Sequence, residues 1–145
     1  MQEQNTIPAI VLGTHTMGLG VIRALGKMKV PVVAVFYDHE KDMGYTSRYV
    51  TCRIHAPHPE RSATDFIELL CDLGENYGGG IIFPVSDETL VTVSKNKAKL
   101  AQFFKVACTE WEITQKYIDK KYTYALAAEV GVAAPRTIYP TSMEE

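Results

Sequence analysis

Ala9-Ile10-Val11-Leu12-Gly13-Thr14-His15-Thr16-Met17-Gly18-Leu19-Gly20 is the stretch that decides how this chain folds. An apolar run of strand length stops at a glycine and a short polar turn follows. Leu19, Ile22 and Leu25 then recur at helical spacing. Strand, glycine-rich turn and helix in that order build the first ligand crevice of an open α/β sheet, outside the carboxyl end of a strand. Glycines let the backbone turn sharply and approach a ligand closely, and the N–H groups that open a helix favour an anionic group.

Working outward, the pattern repeats. The first strand is expected over 9–13 and the first helix over 17–28. Val30 to Asp38 is nearly all apolar, as a strand covered on both faces should be. A polar segment, His39 to Thr46, leads to a third strand-like run, Tyr49 to Ile54. Ser62 is placed to cap a helix with Phe66, Ile67, Leu69, Leu70 and Leu73 at helical spacing, which Gly78-Gly79-Gly80 ends. Gly80 to Val85 is the next strand, and Ser86-Asp87-Glu88 opens a helix running to about Asn96. A helical stretch to Phe104, a short strand over 105–108 and helices over 110–117 and 120–130 follow, the last stopped by Gly131. Residues 133–139 read as extended, and the polar tail 141–145 as loose. Alternating β and α elements with right-handed crossovers predict an α/β fold: a mainly parallel, Rossmann-like open sheet with helices on both faces.

Composition narrows the functional classes. A length of 145 residues suits one domain with a real core, and 46% hydrophobic with 22% charged residues describes an ordinary globular chain. A net charge of -2 gives no field that would draw in nucleic acid or an anionic membrane, and Lys95, Lys97 and Lys99 read as a solvated helix face. No apolar run approaches the ~20 residues of a membrane span, and MQEQNTIP is not a signal peptide. Cys52, Cys71 and Cys108 are odd in number and widely spaced, so they are expected as buried free thiols of a cytoplasmic protein.

Candidate site residues sit at the carboxyl ends of strands. Gly13-x4-Gly18-x-Gly20 is not GxGxxG, and it lacks the lysine and hydroxyl of a phosphate-cradling loop. Asp38, twenty-five residues after Gly13, stands where a dinucleotide fold places its ribose-binding carboxylate. An NAD- or FAD-binding module of an oxidoreductase or regulator is therefore one reading; close helix-to-strand packing by Gly18 or Gly20 is the plainer one. Gly13, Thr14, His15 and Gly18 form one wall of a crevice, with Ser86 and Asp87 opposite if their strands are neighbours. Thr14 and His15 sit in the turn itself, where they can face a ligand. Ser86 or Asp87 also fits a helix cap, and one side chain can serve both roles. No metal site is expected, because His15 has no second ligand at helical spacing and His39, His55 and His58 are scattered. A Ser-His-Asp hydrolase is disfavoured by the missing GxSxG elbow. A receiver-type domain would need paired acids after the first strand, and only Asp38 and Asp87 are available.

Ile118-Asp119-Lys120, with Gly131-Val132-Ala133-Ala134-Pro135 after it, resembles the region where an ATP-grasp ligase begins its nucleotide-binding part. There an Asp-Lys pair opens a helix and a glycine- and proline-containing turn closes it. Lys120 precedes Gly131 by eleven residues, the spacing of that family; Ala133 replaces the usual first proline, and Pro135 keeps the second. Leu12-Gly13-Thr14-His15 with Gly18-Leu19-Gly20, Ser47-Arg48-Tyr49 and Phe83-Pro84-Val85-Ser86-Asp87-Glu88 are similar in the same order. The resemblance, over about 8–140, is strongest to carboxylate–amine ligases of D-aspartate ligase-like and carbamoyl-phosphate-synthase-like type.

That resemblance implies a Rossmann-like pre-ATP-grasp domain over 1–117 and the start of the ATP-grasp region over 118–145. It implies a parent enzyme that uses ATP and magnesium to turn a carboxylate into an acyl phosphate, which an amine attacks. Lys120 matches a lysine that contacts ATP phosphate, with Lys121 beside it as the alternative. The amino-terminal domain lends strand-end loops to the small-molecule carboxylate and amine site and carries no catalytic residue itself. This portion alone is expected to bind no cofactor and to be inactive. Ligases of this kind are often dimers, so a homodimer is one expectation.

Overall fold

The computed structural model describes residues 7–139. β1 (Ala9–Leu12) is fully buried, and Gly13 ends it at φ +89°, a left-handed conformation that suits glycine. α1 (Thr16–Lys27) follows, then β2 (Val32–Phe36), a 3-10 turn (Gly44–Thr46) and β3 (Cys52–His55). α2 (Ala63–Tyr77) and β4 (Gly80–Pro84) come next, then α3 (Asp87–Lys95), α4 (Lys97–Leu100) and β5 (Phe104–Val106). α5 (Trp111–Ile118) and α6 (Lys120–Glu129) complete the described elements. The five strands are all parallel, in the order β3-β2-β1-β4-β5. The α/β reading from the sequence therefore holds.

Period-two alternation sends the two sides of each central strand to different cores. Ile10, Leu12, Val33, Val35 and Ile82 meet Phe66, Ile67, Leu70 and Leu73 of α2 and Val93 of α3. Val11, Val32 and Ala34 face the other way, onto Ile22 of α1 and Val50. Burying a side chain of this size contributes about 1.5–3 kcal/mol, so these two layers hold the sheet in place. Crossovers that run toward β2 put α1 on one face, and those that run back toward β4 and β5 put α2 and α3 on the other, as right-handed connections require.

Element ends differ from expectation for identifiable reasons. β2 stops at Phe36 because the N–H groups of Tyr37 and Asp38 donate to the Asp42 carboxylate instead of to a strand. β3 starts at Cys52, not Tyr49, because Tyr49 is seated against Gly26 of α1. β5 begins at Phe104, paired with Gly80, and ends before Ala107. Ser62 holds the N-cap position of α2 but makes no side-chain capping bond. The cysteines are free as expected, but partly exposed and not buried. The tail over 141–145 lies outside the described residues.

Candidate functional site

The chain leaves β1 toward β2 on one side and reaches β4 on the other, so the β1/β4 boundary is the topological switch point of the sheet. Ligands of open α/β folds bind outside the carboxyl ends of the strands at this point. A cleft of about 320 Å³ lies there. It is lined by His15 and Met17 at the start of α1, by Tyr37, Asp38, Lys41 and Asp42 after β2, and by Ser86, Asp87 and Glu88 after β4. His15, Ser86 and Asp87, nominated from the sequence, thus come together.

Gly13 and Gly18, also nominated from the sequence, do not line the cleft; they pack against each other in the turn that carries His15. A Cβ on Gly18 would stand 2.1 Å from the Gly13 carbonyl oxygen, so only glycine lets the first turn of α1 sit this close to the end of β1. Gly20 has nothing within 4 Å of its would-be Cβ and plays no such part. Thr14 is fully buried and does not line the cleft: its backbone carbonyl accepts from Gly44 N–H at 2.7 Å, and its hydroxyl has no partner among the described residues.

The residue that shapes the turn is Asp42, 4% exposed. One carboxylate oxygen accepts from Thr14 N–H, and the other from Tyr37 N–H at 3.0 Å and Asp38 N–H at 3.1 Å. The buried charge is compensated by three backbone donors, which lock the turn after β1 to the end of β2. Asp38 pairs with Lys41 at 3.3 Å. The backbone N–H of Glu40, more than that lysine, holds its carboxyl below the ordinary carboxylate range.

Across the cleft, Ser86 caps α3. Its Oγ accepts from Thr89 N–H at 3.3 Å, while Thr89 Oγ1 accepts from Ser86 N–H at 3.2 Å, a reciprocal capping box. Tyr37 joins the two walls. Its hydroxyl lies 3.2 Å from Ser86 Oγ and donates to Glu88 Oε2 at 3.1 Å. Burial, with the carboxylates of Glu88 and Asp42 adding to it, holds the phenol well above its ordinary pKa.

These contacts decide what the cleft can do. Ser86 Oγ is engaged by Tyr37 and Thr89, and His15 Nδ1 accepts from Met17 N–H at 3.4 Å, so the two do not form a nucleophile–base pair. His15 also covers the helix start that would hold a pyrophosphate in a dinucleotide fold. Asp38, Asp87 and Glu88 give the lining an acidic balance that further disfavours a polyanion. The cleft is thus a polar, largely acidic concavity without a nucleophile–base pair among its lining residues. Among the described residues no group of three His, Cys, Asp or Glu is placed to hold a metal ion.

Lys120 and Lys121 stand elsewhere, at the start of α6, where Asp119 Oδ1 accepts from Lys121 N–H at 2.9 Å. Lys121 lines a cavity between α6 and the extended segment after it, together with Tyr124, Ala128, Pro135 and Tyr139; Lys120 does not. A further cavity of about 420 Å³ sits at the amino ends of the strands, the end opposite the cleft, lined by Pro8, Gly78, Gly79 and Phe103 among others. No helix among the described residues is long and apolar enough to cross a membrane.

Sequence reasoning missed Tyr37, Asp42 and Glu88. Glu88 was visible as a first-turn acid of α3, and Asp42 only as one polar residue in a polar loop.

No protein-family model matches the chain, and no curated protein matches it. Solved structures do. The biotin carboxylase domain of a single-chain bacterial carboxylase is 14% identical with a TM-score of 0.62, over 94% of this chain and 32% of that one. A single-chain, multi-domain long-chain acyl-CoA carboxylase is 18% identical with a TM-score of 0.67, over 92% of this chain and 14% of its own. The biotin carboxylase domain dimer of Hydrogenobacter thermophilus 2-oxoglutarate carboxylase, in complex with MgADP and bicarbonate, is 17% identical with a TM-score of 0.58, over 86% and 27%. The chain spans a third or less of the length of these proteins. At such identities the likeness is one of fold.

Proposed function

We propose that this chain is the amino-terminal, substrate-binding portion of an ATP-dependent ligase that joins a carboxylate to an amine through an acyl phosphate. Residues 1–117 form the Rossmann-like pre-ATP-grasp domain and 118–145 the start of the ATP-grasp region. One observation carries the reading. The similarity to the biotin carboxylase domain runs over 94% of the chain, more than the sheet domain over 1–117 occupies. It therefore extends into the segment that Asp119 and Lys120 open and Gly131 closes.

In this reading His15, Ser86 and Asp87 contact the small-molecule substrate, Gly13 and Gly18 shape the turn that presents His15, and Thr14 supports that turn from beneath. Lys120 is assigned to ATP phosphate, a role suited to a compact ammonium on a flexible stem. The nucleotide and magnesium are assigned to the complete enzyme; one structural neighbour is a domain dimer in complex with MgADP and bicarbonate, which supports that assignment. The 145-residue chain alone is inactive. We further assign it to the cytoplasm, with a homodimer as its assembly. The branch we assign is D-aspartate ligase-like or carbamoyl-phosphate-synthase-like.

The test is steady-state kinetics on the complete enzyme. His15→Ala and Asp87→Asn should raise the KM for one small substrate while leaving the KM for ATP unchanged. An equal rise in the KM for ATP would place the nucleotide in this cleft and overturn the assignment.

A further inference from the structure

A second concavity, of about 610 Å³, lies beside the carboxyl-terminal half of α1, away from the cleft. It is lined by Arg23, Lys27, Thr46, Ser47, Arg48 and Tyr49, three cations and three hydroxyls with no carboxylate. Among the described residues the ion pairs are Lys41–Asp38 and Lys97–Glu110, and none involves Arg23, Lys27 or Arg48. In a chain of net charge -2, three cations around one basin, without an ion pair among the described residues, call for an explanation.

Arg48 engages the phenol of Tyr49. Arg48 Nη2 donates to Tyr49 Oη at 3.0 Å, and its guanidinium carbon lies 5.0 Å from the Tyr49 ring centroid. The hydrogen bond from Arg48, then the charges of Arg48, Lys27 and Arg23, hold the Tyr49 phenol below its ordinary pKa. The ring is fixed by packing: a Cβ on Gly26 would stand 2.3 Å from Tyr49 Cβ, so only glycine lets the ring lie against α1 there. Arg23 and Lys27, four residues apart, share a face of that helix. Ser47 Oγ accepts from Tyr49 N–H at 3.4 Å, which leaves its proton free to donate outward. Thr46 donates its hydroxyl to Met43 O at 2.8 Å and adds polarity only.

A plainer reading explains part of this. Lysine in the last turn of a helix is favoured by the helix dipole, and that accounts for Lys27. It does not account for Arg23 or for Arg48, which comes from a different segment. Nucleic acid would need a basic stripe on a basic chain, whereas this charge is confined to one basin.

We propose that the basin binds a small phosphate-bearing anion. The guanidinium groups of Arg23 and Arg48 offer planar donor pairs to phosphate oxygens, Lys27 adds charge, and Ser47 donates a neutral hydrogen bond. The bound anion relieves the mutual repulsion of the three cations.

The experiment is an amide chemical-shift titration of the 145-residue chain with pyrophosphate and with inorganic phosphate, using sodium chloride at matched ionic strength as control. Saturable shifts should centre on Arg23, Lys27, Ser47 and Arg48, with pyrophosphate binding more tightly than phosphate. Arg48→Gln, and separately Arg23→Gln with Lys27→Gln, should each weaken binding about tenfold or more. In tyrosine-labelled protein the Tyr49 phenol pKa should rise when pyrophosphate binds, since added negative charge disfavours the phenolate. Equal shifts with sodium chloride would mean screening alone and overturn the proposal. So would shifts confined to the His15–Glu88 cleft, or folded variants that bind as the parent does.

Discussion

Asp42 accepts a hydrogen bond from the backbone N–H of Thr14, a residue twenty-eight positions earlier in the chain. The same carboxylate takes the N–H groups of Tyr37 and Asp38. The conformation of the glycine turn is thus set from outside the turn, by a residue in the loop after β2. That loop also supplies Tyr37, which reaches across to Ser86 and Glu88, so both walls of the cleft depend on it.

Removing the Asp42 carboxylate should therefore cost more than an ordinary loop substitution. Asp42→Ala leaves three backbone donors without their acceptor and should destabilise the fold by about 2–4 kcal/mol in urea unfolding. Asp42→Asn keeps one acceptor oxygen and should cost less. Equal unfolding midpoints for Asp42→Ala and the parent would show that the carboxylate does not organise the turn.

The glycines of the opening motif should separate cleanly. Gly18→Ala forces its Cβ against the Gly13 carbonyl and should cost about 1–3 kcal/mol. Gly20→Ala meets open space on an exposed helical turn and should stabilise by about 0.5–1 kcal/mol. Thermal denaturation of the two variants checks this, and opposite signs are the expected result.

The raised Tyr37 pKa has a sign in the pH profile. In the unfolded chain the phenol ionises near its ordinary value of 10.0, while in the folded chain it stays protonated. The folded state then binds more protons, so stability is unaffected below about pH 10 and falls as pH rises above it. Tyr77, raised to about 12 by the neighbouring Cys52 thiol and by burial, adds to the same slope. Tyr37→Phe should reduce the alkaline slope, by up to one proton, and leave the Tyr77 contribution. Urea midpoints between pH 9 and 11 measure it.

The competing dinucleotide reading makes its own demand. Asp38 does stand at the end of β2 and lines the cleft, as a ribose-binding carboxylate would. Yet Lys41 pairs with it, and the His15 side chain caps the helix start where the pyrophosphate would lie. Calorimetric titration with NAD or NADH should give no micromolar binding. Tight binding lost in Asp38→Ala would reverse our preference.

Much of the architecture was legible in the chain because its signals are local. Apolar runs, helical spacing and glycine stops marked each strand and helix, and the cap of α3 was narrowed to Ser86 or Asp87, of which Ser86 serves. Strand order was not local, so the meeting of His15 with Ser86 and Asp87 stayed conditional until β1 and β4 proved to be neighbours. The roles of Tyr37 and Asp42 depend on contacts across twenty-eight to fifty-one positions, and nothing in a polar loop signals which acid will turn inward. Thr14 misled for the same reason. It is polar and sits in the turn, and yet it is buried beneath it.

If this chain is the opening portion of an ATP-dependent ligase, Lys120 is the residue whose loss the nucleotide should feel. ADP formation should be measured in the complete enzyme against ATP concentration, for Lys120→Ala and Lys121→Ala beside the parent. Loss of a charge-assisted phosphate contact worth about 1.5–3 kcal/mol should raise the ATP requirement of Lys120→Ala roughly ten- to a hundredfold. Lys121→Ala should behave as the parent, and the 145-residue chain alone should form no ADP. Equal effects of the two substitutions, or turnover by the short chain, would contradict the account.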